Sequence, residues 1–97
     1  MEHMLCTPEK DRLFEAILSL GNIEECYRFF ADACTIKELE ELSKRFKVSE
    51  MLYDGQSYAN ICKETGVSTA TICRVNRCIS YGSGGYQLVR ERLNKQD

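Results

Sequence analysis

Residues 57–77 carry hydroxyl, thiol and guanidinium groups at a spacing that would place them on one side of a helical hairpin. Threonine and alanine methyls can contact the methyl group of thymine, hydroxyls can bond bases or phosphates, and arginine suits guanine or phosphate. Hydroxyl groups beside a helix N-terminus are suited to holding phosphate. The sequence therefore predicts a DNA-contact surface formed by the following residues: Ser57, Tyr58, Ser68, Thr69, Ala70, Thr71, Cys73, Arg74 and Arg77.

A glycine and its apolar neighbours predict the hairpin that positions these side chains. Gly66 stands where a first helix would end, because glycine takes a positive φ without a Cβ penalty. Ser68 is placed to cap the second helix. With successive residues 100° apart, Ile72, Val75 and Ile79 form the buried stripe of that helix, and the arginines lie opposite. This is the helix-turn-helix pattern, whose second helix enters the DNA major groove.

The second helix of this hairpin has few groups that read bases strongly. Its first turn contains no Asn or Gln that could bond adenine through two hydrogen bonds. Water-mediated contacts and DNA shape would then supply part of the specificity. The alternative is a protein-interaction module that uses the same hairpin without DNA. Salt dependence separates the two, because phosphate contacts make affinity fall steeply with salt.

The charges of the chain are divided unevenly along its length. Residues 1–42 carry ten acidic and four basic side chains, a net charge of −6, whereas residues 43–97 carry nine basic and five acidic ones, a net charge of +4. Within the hairpin, Lys63, Arg74 and Arg77 outnumber a single acid, Glu64. Such a division is expected of a compact DNA binder with an acidic scaffold half, although two solvated faces would give the same count.

Length and composition predict a single soluble domain covering residues 1–97. With 43% apolar and 29% charged residues the chain has the composition of an ordinary globular protein. No stretch approaches the roughly 20 apolar residues of a membrane span. Residues 1–4 lack the basic and apolar regions of a secretion signal. We therefore expect a cytoplasmic protein, associated with the bacterial nucleoid when bound to DNA, and no membrane partner.

The six cysteines and the single histidine, His3, do not form a recognisable metal or catalytic pattern. Structural zinc sites need closely spaced ligand pairs, and no C-x-x-C pair is present. In a reducing compartment the cysteines are expected to act as small apolar side chains. No nucleophile–base pair and no phosphate-binding loop are visible. The sequence predicts no metal, no cofactor and no enzymatic activity.

Apolar periodicity and capping residues predict about six helices and no strand, an all-α fold. Thr7, Asn22 and Thr35 each stand at the start of a helical pattern, the latter two with a glutamate three residues later. Residues 80–85 are predicted to be a flexible connector. We divide the chain into N-terminal dimerisation helices (1–55), a helix-turn-helix (57–79) and a C-terminal helix (86–97). The first two helices and the last carry more apolar surface than two short neighbours can cover, so they either fold back on the long helix or pack against a second copy. We favour the second arrangement, a homodimer.

Two pairs of motifs resemble the Trp repressor family over roughly residues 10–93. The first pair is the run from Cys34 to Arg45 and Gly66-x5-Ile-Cys-Arg74. The second, Glu-Glu-Cys-Tyr-Arg-Phe-Phe at 24–30 and Ser-Thr-Ala-Thr-Ile-Cys-Arg-Val at 68–75, is similar to the YerC/YecD branch of that family. The resemblance implies an intertwined helical homodimer that represses transcription at a palindromic operator, often in response to an amino acid.

The resemblance also implies a candidate site for an amino-acid effector. The family's corepressor is framed by residues that correspond to Thr35, Arg45 and Arg74. Val75 stands where the Trp repressor has glycine, and Cys78 where it has a serine that helps to hold the ligand amine. Both changes fill or dehydrate the pocket, so we expect either a smaller amino-acid effector than tryptophan or none. Helix capping by Thr35, a solvated or phosphate-facing Arg45 and a DNA-contacting Arg74 would equally explain these three residues.

Overall fold

The computed structural model describes residues 5–95, which form six α-helices and no strand. Residues 1–4, with His3, and residues 96–97 lie outside the described part of the chain. No helix within residues 5–95 is long and apolar enough to cross a lipid bilayer. The prediction of an all-α fold with six helices is confirmed. The helices are α1 Pro8–Leu18, α2 Ile23–Ala33, α3 Ile36–Tyr53, α4 Tyr58–Thr65, α5 Thr69–Tyr81 and α6 Gly85–Asn94.

The chain forms two compact units, with the division inside α3 between Leu39 and Glu40. The first unit contains α1, α2 and the start of α3. None of the residues of α1 or α2 is fully buried. Within α2, the rings of Phe29 and Phe30 meet edge to face with their centroids 5.3 Å apart.

Polar side chains fix the helix starts of the first unit, as the sequence predicts. The Thr7 hydroxyl accepts a hydrogen bond from the Lys10 amide at 3.1 Å, and the Asn22 side chain accepts one from the Glu25 amide at 2.9 Å. At α3 the bonds are reciprocal. Thr35 accepts from the Glu38 amide at 3.1 Å, and the Glu38 carboxylate accepts from the Thr35 amide at 2.8 Å. These bonds satisfy amide groups that have no partner within their helix.

Three helices of the second unit meet in one small core. Val48 and Met51 come from α3, Ile61 from α4, and Ile72 and Val75 from α5, and each is at most 2% exposed. The arrangement fixes α4 and α5 against the C-terminal half of α3. Because α5 supplies two of these five residues, its orientation is set by the packing of its own buried side.

The last helix, α6, is attached to the end of α3 by its Arg90. The guanidinium carbon of Arg90 lies 4.7 Å from the centre of the Tyr53 ring, and its Nη1 lies 3.9 Å from Asp54 Oδ1. Tyr86 of α6 also packs on the edge of the core. A groove between α3 and α6 is lined by apolar, polar and charged side chains of both helices: Phe46, Ser49, Glu50, Tyr53, Tyr86, Arg90, Leu93 and Asn94.

The connection between α5 and α6 is shorter than the sequence predicts. Instead of a flexible segment over residues 80–85, α5 continues to Tyr81 and α6 begins at Gly85. The Gly82 amide donates to the Cys78 carbonyl at 2.8 Å, which closes the end of α5. Gly84 then turns the chain into α6 with a φ of 85°. Two glycines and a serine therefore make a defined turn, because only residues 82–84 lie outside the two helices.

Candidate nucleic-acid interface

The turn between α4 and α5 is built around Gly66. Its φ is 74°, and its amide donates to the Cys62 carbonyl at 2.9 Å, which ends α4. A Cβ at this position would meet no atom within 4 Å, so glycine is required by the backbone conformation and not by space. Thr65 supports the turn by donating its hydroxyl to the Ile61 carbonyl at 2.7 Å and accepting the Val67 amide at 3.3 Å.

Two of the predicted contact hydroxyls are engaged at the start of α5. Ser68 caps the helix by accepting the Thr71 amide at 3.2 Å, and the Ser68 and Thr71 hydroxyls are themselves 3.2 Å apart. Ser68 is exposed, whereas Thr71 is only half-exposed. Their first role is to hold the N-terminal turn of α5 in place. Each oxygen can still take part in a further hydrogen bond with a phosphate or a base.

The remaining side chains of α5 separate into a buried and an exposed side, as the 100° spacing predicts. Ile72 and Val75 are in the core, and Ile79 packs against it. The opposite side, which we call the reading face, is exposed to solvent and consists of Thr69, Ala70, Cys73, Arg74 and Arg77. Among the described residues, neither arginine of this face forms an ion pair.

The start of α4 carries the other two predicted contact residues. The Ser57 hydroxyl caps α4 by accepting the Asn60 amide at 3.1 Å, which leaves its proton available to a phosphate. Tyr58 is 37% exposed. Residues 57–81 thus form two helices joined by a tight turn, with the predicted contact groups at the start of both helices and along the exposed side of α5.

Two exposed residues of this hairpin were not among the predicted contacts. Lys63 lies in the last turn of α4, and Asn76 lies on α5 seven residues after Thr69, a spacing that returns a helix to nearly the same side. An amide side chain can bond adenine through two hydrogen bonds. The seven-residue spacing from Thr69 is the sequence signal that could have identified Asn76 as a candidate contact residue.

The predicted effector residues occupy different surroundings. Thr35 belongs to the first unit and is engaged in the reciprocal cap with Glu38. Arg45, Arg74 and Cys78 belong to the second unit and are exposed. Val75 is 2% exposed and packs in the core. Its side chain therefore has almost no free surface with which to contact a ligand, and the groove between α3 and α6 contains none of these residues.

The cap at the start of α3 changes the titration of one carboxyl group, that of Glu38. The capping bonds from Thr35, first the backbone bond and then the side-chain bond, hold the pKa of the Glu38 carboxyl below its ordinary value of 4.5. Within residues 5–95 no group of three His, Cys, Asp or Glu side chains could hold a metal ion. The chemistry that the reading face presents is hydrogen bonding and positive charge.

Comparison with known proteins identifies the family. A family model described as Trp repressor protein matches residues 8–94. The chain belongs to the Trp repressor family. Its relative YerC of Bacillus subtilis (strain 168) is 49% identical over 89 residues, covering 92% of this chain and 86% of YerC. The match to YerC agrees with the motifs at 24–30 and 68–75.

Crystal structures of two other proteins have the same fold as this chain. A TrpR-like protein from Eubacterium eligens ATCC 27750 superimposes with a TM-score of 0.92 at 49% identity, covering 96% of each chain. A protein from Staphylococcus aureus, named as a candidate Trp repressor, gives a TM-score of 0.91 at 45% identity, covering 97% of this chain and 95% of its own. The Trp repressor family is a family of regulators and not of enzymes.

Proposed function

We propose that this member of the Trp repressor family is a transcriptional repressor that binds a palindromic DNA operator as a homodimer and controls genes of amino-acid metabolism. The observation that carries the proposal is the reading face of α5. It presents a threonine and two arginines that form no ion pair with any residue between 5 and 95, on a helix whose opposite side is packed in the core. A rigid helix with an exposed polar face is what insertion into a major groove requires.

A homodimer is supported by apolar side chains that the single chain leaves exposed. The largest exposed fractions among the apolar side chains described in the first unit belong to Leu18 (83%), Ile36 (81%), Ile23 (76%), Tyr27 (69%) and Leu5 (61%). Large apolar side chains left exposed in this number are expected to be covered by a protein partner. A dimer would also supply two α5 helices, the number needed to read two half-sites about one helical turn of DNA apart.

Selection of binding sites from a random duplex library tests the proposal directly. We expect the purified protein to enrich a palindromic sequence and to bind it with an affinity that falls steeply as salt rises. Transcripts of the genes beside the enriched sites are expected to increase in a strain that lacks the protein. A library without enrichment, or an affinity independent of salt, would favour a protein-interaction module instead.

The effector is a separate part of the proposal. We propose that the reading face is competent to bind DNA without a ligand, because Val75 of α5 is already part of the same buried core as Val48 and Ile61. Calorimetry of the dimer with tryptophan and with histidine tests this, together with DNA titrations in the presence and absence of each amino acid. We expect no tryptophan binding. An amino acid that binds and raises the affinity for DNA would establish an effector, for which Thr35, Arg45, Arg74 and Cys78 are the candidate contacts.

A further inference from the structure

Cys62 of α4 contacts the first residue of the reading face. Its Sγ lies 3.7 Å from Thr69 Oγ1, within hydrogen-bonding distance for sulfur, and either group can donate. Cys62 is half-buried, whereas Thr69 is exposed. This contact joins the two helices of the hairpin through side chains, directly across the turn at Gly66.

The backbone places Cys62 where it can act on Thr69 in this way. The carbonyl of Cys62 accepts the Gly66 amide at 2.9 Å and so fixes the end of α4. Thr69 is the first residue of α5, directly after the cap at Ser68. Both side chains are therefore anchored by ordered backbone, and the contact between them constrains χ1 of Thr69.

Constraining χ1 decides which group of Thr69 is turned to solvent. A threonine Cβ carries one hydroxyl and one methyl, and staggered rotamers keep them about 120° apart. With the hydroxyl held by Cys62, the methyl is the remaining group of an exposed side chain. Residues at the start of a recognition helix contact base edges, and a threonine methyl suits the methyl of thymine.

We propose that Cys62 is a positioning residue for DNA reading, which holds the Thr69 hydroxyl so that the Thr69 methyl faces a thymine methyl in each half-site. The inference rests on the proposed function, since it requires α5 to enter the major groove. Cys62 itself does not contact the DNA. Its effect is on selectivity, through the rotamer of Thr69.

The test uses the duplex enriched from the random library and a series of variants of it. In each variant a single thymidine is replaced by deoxyuridine. Deoxyuridine lacks only the 5-methyl group. For the wild type we expect one position per half-site at which uridine weakens binding by about fourfold, the equivalent of burying one methylene. Thr69→Ser, which keeps the hydroxyl and removes the methyl, abolishes this preference.

The decisive variants are Cys62→Ala and Cys62→Ser under reducing conditions. Cys62→Ala is expected to lose the thymine preference at that position, whereas Cys62→Ser, which keeps a donor and acceptor, retains part of it. Cys34→Ala serves as the matched control, because it removes a thiol of similar burial from the first unit. Combining Cys62→Ala with Thr69→Ser is expected to add no further loss of preference.

The ratio of affinities for the thymidine and deoxyuridine duplexes separates positioning from general destabilisation of the protein. Any loss of folded protein lowers the affinity for both duplexes by the same factor and leaves their ratio unchanged. A wild type without a preference at any thymine would overturn the inference. So would a Cys62→Ala variant that binds both duplexes more weakly by the same factor. A library from which no duplex is enriched would instead overturn the proposed function, and this inference with it.

Discussion

On α5, Arg74 and Arg77 are exposed and have no ion-pair partner among the described residues, so their charge is available to a polyanion. We predict that Arg74→Ala and Arg77→Ala weaken DNA binding while leaving the helical content unchanged. A base contact is expected to cost about 1–3 kcal/mol and to relax specificity at one position, whereas a phosphate contact lowers the slope of affinity against salt by about one. Fluorescence anisotropy at several salt concentrations measures both.

The matched control for these variants is Arg92→Ala, which removes an exposed arginine from α6. It is expected to change the overall charge equally without changing the affinity for the selected duplex. Wild-type binding by both α5 variants would show that this helix does not read DNA.

The cap of α3 gives a second prediction for single residues. The Thr35 bonds lower the pKa of Glu38, so the folded state favours its carboxylate form. The stabilisation is therefore present above the ordinary value of 4.5 and is lost as the pH falls through the lower native pKa. NMR titration of the Glu38 carboxyl should show a pKa below 4.5 in the wild type.

Thr35→Ala removes the hydroxyl part of this cap and leaves the backbone bond that Glu38 accepts. We expect the pKa of Glu38 to rise part of the way toward 4.5, because the backbone bond is the larger cause of the shift. Ser43→Ala, elsewhere on α3, should leave the titration unchanged. An ordinary pKa for Glu38 in the wild type would show that the cap is absent in solution.

Among the connections between helices, Gly66 and Gly82 are required for different physical reasons. Gly66 has a φ of 74° and open space around its Cβ position, so Gly66→Ala should destabilise by about 1–2 kcal/mol through backbone strain. At Gly82 a Cβ would lie 2.3 Å from the Cys78 carbonyl oxygen. Gly82→Ala must displace the end of α5, and overpacking of this kind costs about 1–3 kcal/mol.

Urea unfolding of the two variants and of Gly85→Ala measures these differences. Gly85 is the first residue of α6 and has neither a positive φ nor a neighbour within 4 Å of its Cβ position, so its substitution should not destabilise. Asparagine tolerates a positive φ, so Gly66→Asn should recover part of the stability lost in Gly66→Ala. Equal stability of all the variants would contradict the two assignments.

Helix starts and turns that depend on residues close in sequence were predictable from the sequence. Helix ends and contacts that depend on bonds or packing elsewhere were predicted less well. The caps at Thr7, Asn22 and Thr35 follow from residues within one turn of each other, and the turn at Gly66 follows from one residue type. The extension of α5 through Tyr81 was missed, because the serine and glycines of that stretch resemble a linker. Local composition does not reveal a backbone bond that closes a helix.

For the candidate site, the sequence predicted which side chains of α5 are exposed and which are buried. Helical spacing separates the reading face from the core side of α5, as the burial of Ile72 and Val75 shows. Spacing cannot decide between a core role and a ligand-contact role for Val75, since both place the side chain on the inner side of the helix. The contact from Cys62 to Thr69 depends on how α4 crosses α5, and this angle is fixed only by tertiary packing.

For the molecule as a whole, we predict a dimer whose subunits do not fold alone, because the first unit leaves so much apolar surface exposed. Sedimentation at micromolar concentration should give twice the chain mass. The thermal midpoint should rise with protein concentration. A folded monomer with a midpoint independent of concentration would contradict this prediction.

A charge placed on the apolar surface provides a sharper version of this test. Leu18 is 83% exposed in the single chain, where a surface substitution should change stability by less than about 0.5 kcal/mol. In a dimer that covers Leu18, Leu18→Lys should lower the midpoint and shift the mass toward the monomer. Asp32→Lys introduces the same side chain at an exposed polar position of α2 and should leave both unchanged.

The separation of the two sides of α5 has a consequence for how such a regulator can change its target. The side chains that hold the helix, Ile72 and Val75, are shared with the core, whereas the reading face contributes nothing to it. Substitutions on that face can therefore accumulate at little cost in stability. Duplicated copies of the gene could diverge toward different operators while keeping one scaffold, and an engineer could retarget the protein by exchanging five surface positions.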